Sequence, residues 1–332
     1  MIPITSILLI AAIREVSPQF SSSWSFRNGG FPKFPPSKPS PQWNSHHSAS
    51  ISGPTSLQCG TRSVSHQPLR TGGATAKIVG GSAATYGAYP WQVEIQAYRP
   101  EKRKFEHHCG GAVVGERIVL TAAHCITNLE HADKIRLIVG KHDLNQKDHH
   151  ERSFKAEKTI IHPQFRKMGP HSNDIALIKV KAVNDNGFTF NSHVQPICLP
   201  EEDSQIAGVG EWCTVTGWGA QKPEDFESLS GVLKAASVPL LDLSTCRQSG
   251  VYGGRVQSIL DSMICAGPLE GGVDACGGDS GGPLACQVDG HFILTGVVSW
   301  GDGCAKKNRP GVYTRVAHFT PWIHETLTKL GA

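Results

Sequence analysis

The sequence predicts an all-β fold followed by a C-terminal α-helix. From Ile78 onward, short β-branched runs recur, and glycine, proline, asparagine and aspartate separate them. Many short strands at this spacing are typical of a barrel or a sandwich. Ten cysteines are dispersed over the chain without a C-x-x-C pair. That usage favours disulfides in an oxidising compartment over a zinc site.

Each strand-like run is bounded by turn-forming residues, and no internal repeat is visible. The runs are Gln92–Tyr98, Ala112–Leu120, Lys134–Val139, Ile175–Val180, Glu211–Thr216, Gly231–Val238, Met263–Ala266, His291–Trp300 and Val312–Val316.

The helix is indicated near the end of the chain, where Thr320 can cap it and Pro321 suits its first position. An apolar stripe at helical spacing predicts that this helix docks on the core. The stripe consists of Trp322, Ile323, Thr326, Leu327 and Leu330.

The N-terminal part of the chain has a different composition. Residues 7–13 form a short apolar run suited to the centre of a signal peptide, although no basic residue precedes it. An incidental run at an incomplete N-terminus is the alternative. Residues 17–58 contain 12 serines, 7 prolines and 3 glycines, which is typical of a flexible segment. We therefore divide the chain into a possible signal peptide (1–16), a Ser/Pro-rich pro-region (17–77) and a folded domain (78–332).

The net charge of +4 is unevenly distributed. Residues 1–77 hold seven bases and one acid, whereas residues 78–332 hold 25 bases and 27 acids. The folded domain is therefore slightly acidic, and we expect no nucleic-acid partner. No run of about 20 apolar residues exists, so we expect no transmembrane helix.

Three local patterns carry chemistry: Thr-Ala-Ala-His124-Cys, Asn-Asp174-Ile-Ala-Leu and Gly-Gly-Asp-Ser280-Gly-Gly-Pro. A serine hydroxyl becomes nucleophilic when an imidazole takes its proton, and a buried carboxylate orients that imidazole. Glycines around Ser280 let backbone N–H groups converge on a developing oxyanion. The same stretch fits the G-x-S-x-G elbow of an α/β-hydrolase esterase, but that fold places the acid and the histidine after the serine.

Together these segments resemble the trypsin-like branch of the chymotrypsin/trypsin family of serine endopeptidases. Further matches are Ile78-Val-Gly-Gly, Pro90-Trp-Gln, Cys109-Gly-Gly, Pro196-Ile-Cys-Leu-Pro, Thr216-Gly-Trp-Gly, Ser299-Trp-Gly and Pro310-Gly-Val-Tyr.

The resemblance implies two six-stranded antiparallel β-barrels with the active site in the cleft between them. It makes His124 the general base and acid, Asp174 its orienting group and Ser280 the nucleophile. The backbone N–H groups of Gly278 and Ser280 would form the oxyanion hole. Ser299, Trp300 and Gly301 would pair with the substrate backbone.

In this resemblance, Asp274 lies at the base of the primary specificity pocket, and Gly301 and Gly311 keep the pocket open. A desolvated carboxylate needs a cationic partner, so we expect cleavage after arginine or lysine. Gly277 departs from the pattern, which commonly has a larger polar residue there. Subsite preference and inhibitor sensitivity therefore transfer less readily.

The resemblance also implies activation by cleavage between Lys77 and Ile78. The new α-amino group would form a buried ion pair with Asp279 and thereby shape the oxyanion hole. The chain as written would then be a zymogen. An upstream protease of similar specificity would activate it.

Ten cysteines allow many connectivities, and the count alone decides none of them. The family pattern implies four bridges within the domain and a fifth that tethers the pro-region after activation. The pairs are Cys109–Cys125, Cys213–Cys286, Cys246–Cys265, Cys276–Cys304 and the tether Cys59–Cys198.

We expect no cofactor and no metal. Lys141 stands where calcium-binding relatives have glutamate, and His149-His150 is read as an exposed loop. The basic segment Arg99–Lys104 is either a solvated turn or a loop that binds a macromolecule.

The predicted function is a secreted trypsin-like serine endopeptidase zymogen in a regulated extracellular cascade. Its expected partners are protein substrates, the activating protease and macromolecular inhibitors. A catalytically silent binding scaffold is the alternative.

Overall fold

The computed structural model describes residues 58–68 and 81–331, apart from 128, 130, 203–207, 223–224 and 256–257. The possible signal peptide, Lys77 and Ile78 lie outside the described residues. Within the described part, no helix has the length and apolar character needed to cross a membrane.

Two closed six-stranded antiparallel barrels form the domain, which confirms the predicted fold class. The first contains β2 (Gln92–Arg99), β3 (Lys104–Gly115), β4 (Ile118–Thr121), β5 (Ile135–Val139), β6 (Arg152–Ile161) and β7 (Ala176–Val180). Its spatial order is β2-β3-β4-β7-β6-β5, and pairing of β2 with β5 closes it.

The second barrel contains β8 (Trp212–Gly217), β11 (Lys234–Leu241), β12 (Met263–Ala266), β13 (Pro283–Val288), β14 (His291–Trp300) and β15 (Gly311–Arg315). Its order is β11-β12-β15-β14-β13-β8, and β8 pairs with β11 to close it. The short β1 (Ser82–Ala83) adds to β11, and β9 (Ala220–Lys222) forms a separate hairpin with β10 (Asp225–Leu229).

Apolar and polar residues alternate along the strands, so the apolar side chains lie on one face of each sheet. Each sheet closes into a barrel whose interior is filled by these side chains. Within β2, Val93, Ile95 and Ala97 point into the first barrel and are completely buried. The opposite face of β2 meets the second barrel, where Thr216 donates a 2.6 Å hydrogen bond to Gln92 Oε1. The cleft between the barrels is therefore lined partly by polar groups.

A short helix, α1 (Leu243–Cys246), precedes β12, and the C-terminal helix α2 spans Thr320–Leu330. Ile323, Thr326 and Leu330 on the predicted apolar stripe are buried, which confirms the docking face. The predicted cap is wrong: Phe319 occupies the cap position, and the Thr320 hydroxyl donates to Pro200 O at 3.1 Å instead. Gly331, at φ 62°, ends the helix in the left-handed conformation.

Candidate active site

Asp174 is fully buried two residues before β7, immediately after Asn173, whose φ is 52°. Its Oδ2 accepts hydrogen bonds from His124 Nδ1 at 2.7 Å and from the Ser299 hydroxyl at 2.6 Å. Its Oδ1 accepts the backbone N–H of His124 at 2.9 Å. Burial alone would raise the pKa of Asp174, but these hydrogen bonds and the nearby imidazole outweigh burial and lower it. Both oxygens of the Asp174 carboxylate thus accept hydrogen bonds, three in total.

His124 lies on a 3-10 turn, Ala123–Cys125, that follows β4. Its side chain is 23% exposed, so one edge of the ring faces the cleft while the other faces Asp174. Because a carboxylate only accepts, the bond to Asp174 requires a proton on Nδ1, and in the neutral ring Nε2 is then the nitrogen that can accept a proton.

Ser280 lies in the loop before β13, and backbone hydrogen bonds hold this loop against both barrels. Ser280 O accepts Gly110 N at 2.8 Å, and Gly281 N donates to Val298 O at 2.8 Å. Gly281 has a φ of +77°, and a Cβ there would lie 2.2 Å from Thr121 Oγ1, so only glycine fits. Ser280 and His124 reach the cleft from different barrels. The hydrogen bonds among the described residues do not include one between Ser280 Oγ and His124 Nε2.

Gly278 precedes the serine by two residues and has a φ of +98°. Its carbonyl oxygen is 2.9 Å from His107 Nε2, so it accepts a hydrogen bond from the first barrel. This peptide belongs to the loop that would form an oxyanion hole with the N–H of Ser280.

Asp279 is buried behind the loop and is bonded only to backbone donors within the described residues. Gly219 N donates to its Oδ1 at 2.7 Å, and Cys276 N donates to its Oδ2 at 2.9 Å. Burial raises the pKa of Asp279 to about 6, although these two bonds oppose the rise. A Cβ on Gly217 or Gly219 would lie 2.0 or 2.2 Å from the carboxylate. Both positions therefore need glycine.

A cavity of about 200 Å³ opens beside Ser280. Its walls are supplied by three segments of the second barrel, among them the predicted Asp274, Ser299, Trp300, Gly301 and Gly311, together with Gly277.

Asp274 is only 2% exposed at this cavity. Its Oδ2 accepts Ala305 N at 3.1 Å, whereas Oδ1 has no hydrogen-bond partner among the described residues. Burial raises the pKa of Asp274 to about 8, and the backbone bonds only partly oppose it. A Cβ on Gly311 would lie 2.7 Å from Oδ1, so glycine leaves this oxygen accessible. The cavity thus presents a carboxyl group that has no counter-ion within the part of the chain that the structure describes.

Five disulfides join the same pairs that the family pattern implies. They are Cys59–Cys198, Cys109–Cys125, Cys213–Cys286, Cys246–Cys265 and Cys276–Cys304.

The segment around Cys59 also contacts the domain directly. Gly60 N donates to Pro196 O and Phe292 N donates to Gly60 O, each at 2.8 Å. The Arg62 guanidinium lies 4.6 Å from the centre of the Phe292 ring. Residues around the tether are therefore packed against the domain as well as covalently attached to it.

The loop at Lys141 has an internal cation. The ammonium donates to Gln146 O and to Glu151 Oε2, each at 2.7 Å, and lies 3.8 Å from Asp148 Oδ2. Among the described residues, the group with metal-ligand spacing is Cys109, His124 and Cys125, whose two sulfurs already form a disulfide. The expected lack of a metal stays a prediction.

Sequence reasoning missed several groups around the site. Thr314 donates to the Asp174 carbonyl at 2.7 Å, and the buried Tyr313 hydroxyl lies beside Gly311. Glu94 lies within the predicted strand Gln92–Tyr98, and no role was predicted for either Glu94 or His107. No local motif marks them, because their positions become meaningful only when the two barrels meet.

Two closed barrels, with a carboxylate-bound histidine on the first and a glycine-flanked serine on the second, are the architecture of the serine endopeptidase class. The family model described as Trypsin matches residues 78–323. The chain therefore belongs to the trypsin family.

Three similar curated proteins illustrate the range of relatives. The chain is 41% identical over 254 residues to the serine proteinase stubble of Drosophila melanogaster, covering 75% of this chain and 31% of that protein. It is 37% identical over 282 residues to coagulation factor XI of Bos taurus (84% and 42%). It is 36% identical over 269 residues to the hepatocyte growth factor activator serine protease of Homo sapiens (81% and 38%). The chain thus spans about a third to two fifths of the length of these relatives.

Proposed function

We propose that this chain is a secreted trypsin-like serine endopeptidase zymogen that hydrolyses peptide bonds after arginine or lysine. The observation that carries the proposal is the arrangement of two carboxyl groups. Asp174 accepts three hydrogen bonds, two of them from His124, whereas Asp274 Oδ1, at the cavity beside Ser280, has no hydrogen-bond partner among the described residues.

In this mechanism, His124 Nε2 takes the proton from Ser280 Oγ as that oxygen attacks the substrate carbonyl carbon. The N–H groups of Gly278 and Ser280 stabilise the oxyanion. The imidazolium then gives its proton to the leaving amine, and an acyl-enzyme remains on Ser280. A water molecule, deprotonated by the same imidazole, attacks the ester carbonyl, and the imidazolium returns its proton to Ser280 Oγ as the acyl group leaves as a carboxylic acid. Asp174 stabilises the imidazolium in both halves of the reaction.

Asp274 selects the residue before the cleaved bond. A buried carboxylate with an open oxygen favours a guanidinium or ammonium over an apolar side chain, because charge pairing offsets desolvation of the carboxylate. Ser299, Trp300 and Gly301, at the end of β14, offer backbone groups to an extended substrate. Protein substrates with arginine or lysine at this position are the expected partners.

Activation requires a cut after Lys77. The freed α-amino group of Ile78 would supply a cation to Asp279, whose side chain is bonded only to backbone N–H groups among the described residues and which adjoins both Gly278 and Ser280 in sequence. Similarity to an activator protease and to a coagulation factor favours a role in a proteolytic cascade, with an upstream activating protease and macromolecular inhibitors.

Five disulfides support an extracellular location. Residues 1–16 would serve as a signal peptide and 17–77 as the pro-region.

The test compares intact protein with protein cut after Lys77, using a fluorophosphonate label and matched arginine, lysine and phenylalanine peptides. We expect labelling and cleavage after arginine or lysine only in the cut form, and neither in a cut Ser280→Ala control. Equal activity before and after the cut would refute zymogen activation. Faster cleavage after phenylalanine would refute the specificity. Absence of label in the cut form would favour a silent binding scaffold.

The tether has a separate test. Cut protein should migrate as one band without reductant and as two bands with it, because Cys59–Cys198 holds the pro-region. A Cys59→Ser/Cys198→Ser double variant should separate into two bands without reductant. Two non-reduced bands from the unmodified protein would refute the tether.

A further inference from the structure

A buried glutamate and a buried histidine lie behind the catalytic loop, outside the mechanism described above. The side chains of Glu94 on β2 and His107 on β3 are only 2% and 6% exposed. Glu94 Oε1 lies 3.6 Å from His107 Nδ1 and also accepts a hydrogen bond from Gln96 Nε2 at 3.0 Å. Within the described residues, Glu94 Oε2 and His107 Nδ1 have no hydrogen-bond partner. The two side chains are therefore buried neighbours, each with a polar atom that is unpartnered in this part of the chain.

The other edge of the imidazole faces the oxyanion-hole loop. His107 Nε2 lies 2.9 Å from Gly278 O, and since a carbonyl only accepts, Nε2 carries the proton of this bond. Glu94 Oε1 lies 3.6 Å from the other ring nitrogen, Nδ1, so the carboxyl group adjoins the opposite edge of the ring. The ring therefore lies between the Glu94 carboxyl group and the Gly278 carbonyl oxygen. The indole of Trp218 packs edge-on against the same ring at 5.8 Å between centroids.

We propose that Glu94 and His107 form a positioning pair that holds the Gly278 peptide in place for catalysis, an inference that rests on the proposed function. Gly278 has no side chain to limit its rotation, so a bond to its carbonyl oxygen restrains the residue whose N–H serves the oxyanion. Neither Glu94 nor His107 lines the cavity beside Ser280. Both therefore act through Gly278 and do not touch the substrate.

Two histidine variants separate positioning from packing. His107→Gln can place an amide N–H near the position of Nε2, whereas His107→Asn has a shorter side chain that does not reach Gly278 O. Loss of one oxyanion-hole donor costs about 100- to 1000-fold in kcat, so loss of a group that only orients a donor should cost about tenfold. In protein cut after Lys77, we expect kcat to fall about tenfold in His107→Asn and Glu94→Gln, with KM within about twofold. His107→Gln should retain most of kcat, and labelling rates should follow kcat.

Glu106→Gln on β3 is the matched control, since Glu106 pairs with surface lysines and should leave kcat unchanged. Thermal unfolding identifies any variant that fails to fold, and the two His107 variants decide the question if Glu94→Gln is unstable. Equal kcat values in folded His107→Gln and His107→Asn would overturn the positioning pair. If the unmodified cut protein has no Ser280-dependent activity, the proposed function itself fails. The two failures are therefore distinguishable.

Discussion

Asp274 should make the binding of a cationic ligand depend on pH above neutrality. Burial raises the pKa of this carboxyl to about 8 in the unliganded protein. A small amidinium such as benzamidine pairs with the ionised carboxylate, and its charge then lowers the pKa. Binding at pH 7 must therefore release a proton from Asp274, and the affinity must rise as the pH increases toward 8.

The magnitude follows from the fraction of protein that is ionised before binding. With a pKa of about 8, about one tenth of the protein carries an ionised Asp274 at pH 7, and about nine tenths does at pH 9. The apparent Kd should therefore fall about tenfold between these pH values, and about 0.9 proton should be released per ligand bound at pH 7. Asp279, whose pKa is raised to about 6, titrates below this interval.

Isothermal titration calorimetry of benzamidine with the cut protein measures both quantities. Titrations at pH 7 in two buffers with different ionisation enthalpies count the released protons, and titrations from pH 7 to 9 give the apparent Kd. Asp274→Asn should bind benzamidine weakly and release no proton. A Kd that stays constant over this interval, with no proton release, would refute the reasoning.

Two further predictions concern groups that the fold buries. Gly219→Ala would place a methyl group 2.2 Å from Asp279, so we expect cleavage activity after the Lys77 cut to fall at least about tenfold, while Gly250→Ala, with open space around its Cβ, should retain activity. Comparable peptide hydrolysis by both variants would contradict this. Lys141→Ala removes a buried ammonium and should lower the free energy of unfolding by about 3–5 kcal/mol. The exposed Lys329→Ala should cost about 0–1 kcal/mol, and urea denaturation of both should differ accordingly.

Local sequence patterns predicted the strands that have clear boundaries. Met263–Ala266 and His291–Trp300 have the predicted bounds, because turn residues flank both. The predicted strand Ala112–Leu120 is wrong, since a turn after Gly115 divides it into β3 and β4. β6 was missed because its polar residues alternate with few apolar ones. Only Phe154 and Ala156 are buried in it.

Some residues of the site can be predicted from local sequence motifs, and others depend on contacts between distant parts of the chain. His124, Asp174 and Ser280 each lie in a short motif whose chemistry can be read locally. Glu94 lies in a strand whose polar residues alternate with apolar ones, a pattern that indicates a solvent-facing side. The second barrel covers that side, as the hydrogen bond between Thr216 and Gln92 illustrates. The buried status of Glu94 therefore follows from the meeting of the barrels, and no segment of sequence encodes it alone.

The three buried aspartates near the cleft differ in where their positive partner comes from. Asp174 has its partner within the domain, since His124 and other donors surround it and its pKa is lowered. Burial raises the pKa of Asp274 to about 8 and that of Asp279 to about 6, because backbone groups alone donate to them within the described residues. A buried carboxylate without a cation is costly to ionise, so each of these two sites gains most from a cation that arrives from outside. On the proposed function, a substrate side chain supplies the cation to Asp274, and the α-amino group of Ile78 supplies it to Asp279. The lack of a nearby cation then explains both specificity and activation. If either cation is prevented from binding, the pKa of the corresponding aspartate should stay raised, while the environment of Asp174 does not change.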